Sequence, residues 1–367
     1  MEHVPTKVYF SRNVLEENAQ EIVQYGKNAL IVTGKTSAIK SGALDDLLPI
    51  LEKHKVNYAI FNEITANPDI HQIQKGNDIF KENNCDHVIA IGGGSPMDAG
   101  KAISIMAANG ISITDIYDTS LHKVAYPILA IPTTAGTGSE VTQYSVLNNN
   151  ETKTKAGFGS QIMFPKCAFY NPKYTLSLDY TVTRDTAIDA LSHLLEGLYS
   201  NKYELRLSSF IAAGFVHIYR TLLFCLDHLD DLRAREELLR GAFNGGVVIA
   251  NSGTTMQHSI GYPLTTEFGL SHGLANGVVM KDVMNLFEPY IKDRFDNLFN
   301  YVGITKQDFF DWLDKLNMKF DGLIDDAFLE KRVPEVLSSR NMALNPCKVE
   351  EKDIVNIYKN IRKNNAN

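Results

Sequence analysis

The sequence has few cysteines, and none of them stand close together. Cys85, Cys167, Cys225 and Cys347 are the four in the chain, and no C-x-x-C pair occurs. A disulfide framework or a cysteine-rich zinc site needs clustered thiols, so this spacing argues against both. We therefore expect reduced thiols in a cytoplasmic protein.

The sequence also lacks an excess of positive charge and a long apolar run. Lys and Arg total 36 against 43 Asp and Glu, which gives a formal net charge of −7. Nucleic acids and acidic membranes select basic faces, so neither is an expected partner. The N-terminal MEHVPTKVYF has no apolar signal-peptide core, and we expect no stretch long enough to span a bilayer. What is present, 367 residues of which 44% are hydrophobic, fits a globular protein of two domains.

The two halves of the chain have different hydrophobic periodicities. In the first half, short apolar runs such as ALIVT (residues 29–33) alternate with helical patterns, which predicts parallel strands joined by helices. Extended segments follow Tyr144, with a hairpin predicted around Asn148–Glu151. We predict an α/β domain over residues 1–172 and an all-helical domain over residues 173–367. The predicted helices include 41–55, 71–82, 96–108, 186–199, 205–224, 236–250 and 272–287.

The segment IGGGSPMDAGKA (residues 91–102) has the composition of a phosphate-binding loop. It follows a predicted strand and begins a predicted helix, with Pro96 at the first helical position. Glycines let the backbone amides turn toward a ligand, and the helix dipole attracts an anion. A tight glycine turn without a ligand is the alternative. The loop by itself indicates a phosphate without identifying the molecule that carries it.

Spacing excludes two common nucleotide motifs. A Walker loop ending at Gly100-Lys101 needs a glycine where Ser95 stands, and the fingerprint G-x-G-x-x-G needs one where Met97 stands. A second loop, IPTTAGTGSE (residues 131–140), also follows a strand and offers hydroxyls beside two glycines. Two such loops at the ends of parallel strands favour an extended dinucleotide. Taken alone, the second loop is also compatible with a solvated turn.

The helical half carries a candidate metal site. In AIDALSHLLEG, Asp189 and His193 are four residues apart and share a helix face. Spacing alone favours an ordinary polar stripe. Two further histidines favour a metal site instead. His258 is predicted at the end of a buried helix rich in small residues, and His272 at the start of the next helix. Three imidazoles and one carboxylate on buried helices suit a divalent transition metal with one open position.

In order and spacing, these motifs resemble the iron-containing (group III) alcohol dehydrogenases. The resemblance is carried by GGGSPMDAGKA, PTTAGTGSE, DALSH and the pair formed by His258 and His272-Gly273. It extends from about Tyr9 to the last helix and is greatest with the short members that carry GYPLTTE, here residues 261–267. It implies a dehydroquinate synthase-like fold, with an α/β dinucleotide-binding domain, an all-helical metal-binding domain and a cleft between them.

The resemblance also implies the site residues. Asp189, His193, His258 and His272 would hold the metal, which we expect to be Fe(II), with Zn(II) able to replace it. Tyr262 stands where many members have a histidine that is proposed to relay protons, so it is assigned either that relay or a wall of the substrate pocket. The residues implied to line the cofactor are Gly34, Lys35, Asn67, Gly93, Gly94, Ser95, Asp98, Thr133, Thr134, Thr137, Tyr144, Lys155 and Leu176.

The strand ALIVT also bears on the choice of cofactor. Sites that prefer NAD place a carboxylate at a strand end, where it binds the ribose 2′-hydroxyl and repels a 2′-phosphate. The resemblance implies that such a carboxylate, when present, ends this strand. Here Gly34 leaves that position open, and Lys35, Thr36, Ser37 and Lys40 follow. We therefore predict that NADP(H) is preferred over NAD(H). Equal binding of both cofactors is the alternative.

Together these features predict an iron-dependent alcohol dehydrogenase. It would transfer a hydride between NADP(H) and a short-chain primary alcohol or aldehyde, or a diol, and we expect a cytoplasmic homodimer. A dehydroquinate synthase-like lyase or a polyol dehydrogenase on the same fold is the alternative. The lyase is disfavoured, because the sequence offers Lys155 and little else that is basic near the metal. A non-catalytic nucleotide-binding protein with structural histidines is a further alternative.

Overall fold

The computed structural model describes residues 4–151 and 154–364, and the chain forms two units. The first unit contains the chain up to Asp179 together with Leu229–Leu239, and the second contains Tyr180–His228 and the chain from Arg240 onward. The predicted boundary at residue 172 falls seven residues before this division.

The return of Leu229–Leu239 to the first unit was not anticipated from the sequence. Within this segment, the buried Arg235 donates to the carbonyl oxygens of Leu229 at 2.8 Å and Leu178 at 2.9 Å. A buried guanidinium is tolerated when its donors are satisfied, and here main-chain oxygens supply part of that requirement. Arg235 thus ties two separate pieces of the first unit together.

A parallel sheet of six strands forms the centre of the first unit. The strands of the chain are β1 (Lys7–Phe10), β2 (Asn28–Gly34), β3 (Asn57–Ile64), β4 (His87–Gly92), β5 (Ile128–Pro132), β6 (Tyr144–Asn149), β7 (Thr154–Gly159) and β8 (Cys167–Tyr170). The sheet has the order β1-β8-β5-β4-β2-β3, and all of its pairs are parallel. β2 is apolar almost throughout because both faces of the sheet are covered: Ile31 belongs to one buried cluster and Leu30 to the other. The α/β prediction for this part of the chain is confirmed.

β6 and β7 pair antiparallel in a separate two-stranded ribbon, with Asn148 opposite Lys155. The hairpin predicted around Asn148–Glu151 is therefore confirmed.

Helices cover both faces of the sheet and form nearly all of the second unit. They are α1 (Val14–Glu17), α2 (Ala19–Val23), α3 (Ser37–Lys40), α4 (Ala43–Lys53), α5 (Ile70–Glu82), α6 (Gly94–Asn109), α7 (Tyr180–Tyr199), α8 (Ser208–Asp227), α9 (Leu232–Ser252), α10 (Met256–Phe268), α11 (His272–Val278), α12 (Met280–Val302), α13 (Lys306–Lys315), α14 (Asp326–Ser338) and α15 (Glu351–Asn364). The helical prediction for the C-terminal part is confirmed.

Three details of the helix prediction are wrong. α6 begins at Gly94, so Pro96 is the third helical residue and not the first. The predicted helix 272–287 is two helices, α11 and α12, because the chain turns at Val279. His258 does not end the small-residue helix: α9 stops at Ser252, Gly253 takes a left-handed φ of +69°, and His258 lies in the first turn of α10.

The expectation that no stretch is long and apolar enough to span a bilayer is also wrong. Among the residues that the structure describes, Leu205–Asp227 is long and apolar enough, with a mean hydropathy of 1.6. Phe215 and Ile218 of this segment are fully buried, whereas Leu205 and Phe224 are exposed. A helix that packs into a protein core meets the same criterion, so this one segment is weak evidence for a membrane span.

Three neighbouring strands end at loops that the sequence analysis singled out. β2 ends at Gly34, β4 at Gly92 and β5 at Pro132, and β4 pairs with both of the others. Because parallel strands share one carboxyl edge, the fold brings three features to the same edge of the sheet. They are Gly34, the glycine loop (residues 91–102) and the threonine loop (residues 131–140).

Candidate metal and cofactor sites

Three imidazoles surround one carboxylate oxygen in the second unit. Oδ1 of Asp189 lies 3.7 Å from Nε2 of His193, 3.7 Å from Nε2 of His258 and 3.6 Å from Nε2 of His272. Ligand atoms of Asp189, His258 and His272 all lie within 4.8 Å of one another. His193 adjoins this group, with its ring stacked on that of His258 at 5.0 Å between centroids. The structure thus brings the four predicted ligands together.

Three helices supply these side chains. α7 carries Asp189 and His193 one turn apart, α10 carries His258 in its first turn, and α11 begins at His272. α11 is held against α7 at its start, where Ser271 caps α11 and donates to the carboxylate of Asp185. The position of His272 therefore depends on a contact between helices that the spacing of the ligands does not reveal.

The electrostatics of the group favour an ionised Asp189 beside a neutral His193. Burial opposes ionisation of Asp189, but His193, His272 and His258, with a hydrogen bond from Asn276, hold its pKa below the usual value. Burial lowers the pKa of His193. A carboxylate and neutral imidazoles are the protonation states in which these side chains bind metal ions.

The residues present fit a divalent transition metal. The donor set is three nitrogens and one carboxylate, which suits Zn(II) or Fe(II). Asp189, His193 and His258 are buried, and buried titratable groups at such close range need a partner. Within the part of the chain that the structure describes, Nδ1 of His193 is buried and has no hydrogen-bond partner.

The two predicted nucleotide loops lie against each other in the first unit. A Cβ atom at Gly93 would lie 3.0 Å from Oγ1 of Thr134, and one at Gly94 would lie 2.8 Å from Cγ2 of Thr137. A side chain at either glycine would require the neighbouring threonine side chain to shift. Gly93 is the N-cap of α6 and provides no side-chain cap, so the first amides of this sixteen-residue helix point to an anion site.

Other predicted cofactor residues meet beside this loop. Nζ of Lys155 donates to Oδ1 of Asn67 at 2.8 Å, and the Asn67 amide donates to Oγ of Ser95 at 3.1 Å. Asn67 has a left-handed φ of +56°, which asparagine tolerates better than most residues. Lys155, Asn67 and Ser95 therefore form one connected group, which joins the hairpin, the loop after β3 and the start of α6.

Asp98 is buried and already engaged within the protein. Its Oδ1 accepts from Oγ of Ser139 at 2.6 Å, and its Oδ2 accepts from the Val146 amide at 3.0 Å. Lys101, one turn further along α6, is also buried and donates to Oγ of Ser139 at 2.7 Å and to the Tyr144 carbonyl at 2.8 Å. Burial lowers the pKa of Lys101 to about 8, against the opposing effect of Asp98. These contacts fasten Ser139 and the start of the hairpin to α6, and the place of Asp98 among the cofactor-lining residues stays a prediction.

Three further predicted cofactor residues take no part in the side-chain contacts just described. Thr133 is buried, and its amide donates to the Gly92 carbonyl at 2.9 Å, directly after β5. Lys35 is exposed after β2. Leu176, which is 38% exposed, follows the short helix Pro172–Thr175.

Tyr262 lies beside the metal ligands, as its position one turn after His258 predicts. Its ring stacks on His272, with 5.7 Å between centroids and 15° between planes, and it meets His258 edge-on at 6.3 Å. Tyr262 is half-buried, and its ring contacts His258 and His272. This arrangement places an aromatic ring against both histidines, and the choice between a relay and a wall of the pocket stays a prediction.

Three residues of these sites were missed by the sequence analysis. Glu196 binds His258, Asn276 donates to Oδ1 of Asp189 at 3.1 Å, and Lys101 fastens the threonine loop. Glu196 and Asn276 follow His193 and His272 by one helical turn, which is the signal that could have identified them.

Comparison with known proteins identifies the family. Residues 5–172 match the pattern described as iron-containing alcohol dehydrogenase, and residues 183–362 match the C-terminal pattern of the Fe-containing alcohol dehydrogenase family. The chain belongs to the iron-containing alcohol dehydrogenase family, whose members are oxidoreductases.

Two curated relatives and one solved structure illustrate the similarity. Alcohol dehydrogenase 4 of Saccharomyces cerevisiae is 30% identical over 83% of this chain and 81% of its own length. The NAD-dependent methanol dehydrogenase of Bacillus methanolicus is 31% identical over 82% of this chain and 79% of its own length. The structure of an iron-containing alcohol dehydrogenase from Thermotoga maritima has a TM-score of 0.92 at 35% identity, covering 98% of each chain.

Proposed function

We propose that the protein is a metal-dependent dehydrogenase that transfers a hydride between NADP(H) and a short-chain primary alcohol or aldehyde, or a diol. The proposal is carried by the buried carboxylate of Asp189 with three imidazole nitrogens within 3.7 Å of its Oδ1. Family membership supplies the reaction class. The metal, the cofactor preference and the substrate size are argued from this chain's own residues.

Asp189, His193, His258 and His272 would hold the metal, which we propose to be Fe(II) in the cell. Bound there, a Lewis acid would supply polarisation of the alcohol or aldehyde oxygen. The protein's contribution is to present a carboxylate and three imidazoles on three packed helices. Asn276 restrains the carboxylate through its hydrogen bond to Oδ1, so that Asp189 keeps one orientation.

The sheet edge in the first unit would hold the cofactor. The uncapped start of α6 offers amide donors to a diphosphate, and Thr134 and Thr137 lie against the same glycines. At the end of β2, Gly34 leaves space where a carboxylate would repel a 2′-phosphate. The methanol dehydrogenase relative is NAD-dependent by name, so the preference for NADP(H) rests on Gly34 and its neighbours.

Tyr262 would limit the substrate. Its ring is held by stacking on His272 beside the ligands, where it would exclude bulky substrates and admit a small primary alcohol or aldehyde. We also propose a homodimer in the cytoplasm. None of the four cysteines, all within the described residues, is in a disulfide, which agrees with a reducing compartment. The mass in solution would measure the assembly.

Metal removal and replacement test the proposed function. Purified enzyme is stripped with a chelator and assayed for NADPH oxidation with short aldehydes, before and after addition of Fe(II) or Zn(II). We expect activity to be lost on stripping and restored by metal, and His258→Ala to be inactive under all conditions. His71→Ala, at an exposed histidine, is the matched control and should behave as wild type. Full activity after stripping, or in His258→Ala, would refute the proposal.

A further inference from the structure

Glu196 is a buried carboxylate that belongs to neither the predicted ligands nor the cofactor residues. It lies on α7, one turn after His193, and is fully buried. Its two oxygens have different partners, all of them at the start of α10. Oε1 accepts from the Thr255 amide at 2.7 Å, the Thr255 hydroxyl at 2.9 Å and the His258 amide at 3.2 Å. Oε2 binds Nδ1 of the His258 ring.

The contact with Oε2 determines which nitrogen of His258 carries the proton. A carboxylate can only accept a hydrogen bond, so Nδ1 of His258 must donate and Nε2 is left with its lone pair. On the other side of the ring, the Asn276 amide nitrogen lies 3.2 Å from Nε2, and an amide nitrogen is a donor. Both neighbours therefore select the tautomer whose Nε2 lone pair points to the Asp189 side of the ring.

We propose that Glu196 is a positioning residue that fixes the tautomer and the orientation of His258 for metal binding. This inference rests on the proposed metal site. Oε1 satisfies the amides at the start of α10 and so fixes the helix, while Oε2 fixes the ring. A purely structural role, capping of α10, would need Oε1 alone. The two roles can be separated because they use different oxygens.

Glu196→Gln separates the two roles. The amide oxygen of Gln is expected to take the Oε1 position, where three donors converge, and its NH2 group then faces Nδ1 of His258. An NH2 group donates, so Nδ1 must accept and the proton moves to Nε2, the nitrogen needed for the metal. The cap of α10 survives, but the histidine presents the wrong tautomer. We expect metal affinity to fall by about 10- to 100-fold, as is usual when a hydrogen-bond partner of a ligand histidine is lost.

The experiment measures Zn(II) affinity of the metal-free protein by competition with a chromophoric chelator, and the absorption spectrum of the Co(II) form. Glu196→Gln is expected to bind more weakly and to show an altered Co(II) spectrum, with an unchanged melting temperature in the metal-free state. Thr255→Val is the matched control, because it removes one donor to Oε1 and leaves Oε2 on His258; its affinity should equal that of wild type. Equal affinities in Glu196→Gln and wild type would overturn the inference.

The outcome for wild type distinguishes the inference from the proposed function. If wild type binds no stoichiometric Zn(II) or Co(II), the proposed metal-dependent function fails. If Glu196→Gln does not fold, nitrogen NMR of histidine-labelled, metal-free wild type decides the question. A His258 ring protonated at Nδ1 supports the assignment of Glu196, and one protonated at Nε2 overturns it.

Discussion

Gly273 and the main-chain oxygen of Asp185 lie so close together that a Cβ atom at 273 would stand 1.7 Å from that oxygen. The glycine after His272 is therefore required by the approach of α11 to α7. Ser271 fastens the same end of α11 to the Asp185 carboxylate. The pair His272-Gly273 thus combines a ligand with the contact that positions it.

Gly273→Ala tests this contact. The obstacle is a main-chain atom, so it cannot move aside as a flexible side chain can, and α11 must shift away from α7 with His272. Overpacking of this kind costs about 1–3 kcal/mol, and sometimes more. We expect a lower melting temperature and a lower metal content per chain than in wild type.

Gly157→Ala is the matched control for that substitution. A Cβ atom at Gly157 would meet Cγ2 of Val146 at 3.4 Å and the Ser145 carbonyl at 3.7 Å, which are ordinary contacts. This variant should melt near wild type and keep its metal. Wild-type stability and metal content in Gly273→Ala would show that α11 has room to adjust.

Glu267 gives a prediction about acid stability. It accepts hydrogen bonds from Lys331 at 2.7 Å and from Nε of Arg332 at 3.0 Å, and these bonds hold its pKa below the usual 4.5. A carboxylate whose pKa is lowered by folding stabilises the protein above its unfolded pKa. That stabilisation disappears as the pH falls from 4.5 through the folded value.

Glu267→Gln should therefore be less stable than wild type at pH 7, and the difference should shrink below pH 4.5. Urea unfolding of both proteins at pH 7 and near pH 3.5 measures this. Glu330→Gln, an exposed glutamate on α14, is the control and should leave the pH dependence unchanged. A constant difference between Glu267→Gln and wild type at all pH values would contradict this account.

The sequence predicted the parts of the fold that depend on local pattern. β2, the hairpin and the long helices follow from periodicity, and Asp189 with His193 follows from the spacing of one helical turn. His258 was placed on the wrong helix, since Gly253 was taken as part of a small-residue helix although it ends one. The error arose because a glycine in a helical pattern has two interpretations. It either allows close packing of two helices or ends the helix, and the local sequence does not decide between them.

Contacts made by tertiary structure could not be predicted in this way. Glu196 and Asn276 are ordinary polar residues on helices until α10 and α11 come against α7. The packing of Leu229–Leu239 within the first unit depends on Arg235, which donates to two carbonyl oxygens. One belongs to Leu229, just before α9, and the other to Leu178, which is distant in sequence. Such hydrogen-bond partners depend on the tertiary structure, and the sequence around each residue does not reveal them.

Two roles are open for Tyr262, a proton relay and a wall of the substrate pocket, and substitutions at this residue distinguish them. Because its ring stacks on His272, we expect the wall. Tyr262→Phe should then keep the turnover and pH profile of wild type, and Tyr262→Ala should raise kcat/KM for branched aldehydes relative to short ones. Steady-state kinetics across pH measure both variants. A relay would instead show a loss of about 10²–10⁴-fold in Tyr262→Phe, together with a changed pH profile.

The cofactor preference turns on the end of β2. A Cβ atom at Gly34 would lie 3.0 Å from Oγ of Ser37 and 3.4 Å from the Ile64 carbonyl, so a side chain fits only if Ser37 rotates slightly. Gly34 does not have a positive φ, so the backbone itself accepts substitution. The position can therefore carry the carboxylate that selects NAD by binding the ribose 2′-hydroxyl and repelling a 2′-phosphate.

We expect wild type to favour NADPH over NADH in kcat/KM, and Gly34→Asp to reverse or erase that preference. In the wild-type site, the hydroxyl of Ser37 and the ammonium groups of Lys35 and Lys40 are available to a 2′-phosphate at this strand end, where charged donors bind phosphate strongly. Gly34→Ala is the matched control, because it adds the Cβ atom without the charge. It should lower kcat/KM for both cofactors alike, if at all, so that a change of preference confined to Gly34→Asp is assigned to the carboxylate. A wild-type enzyme that favours NADH would show that the open end of β2 does not select the phosphorylated cofactor.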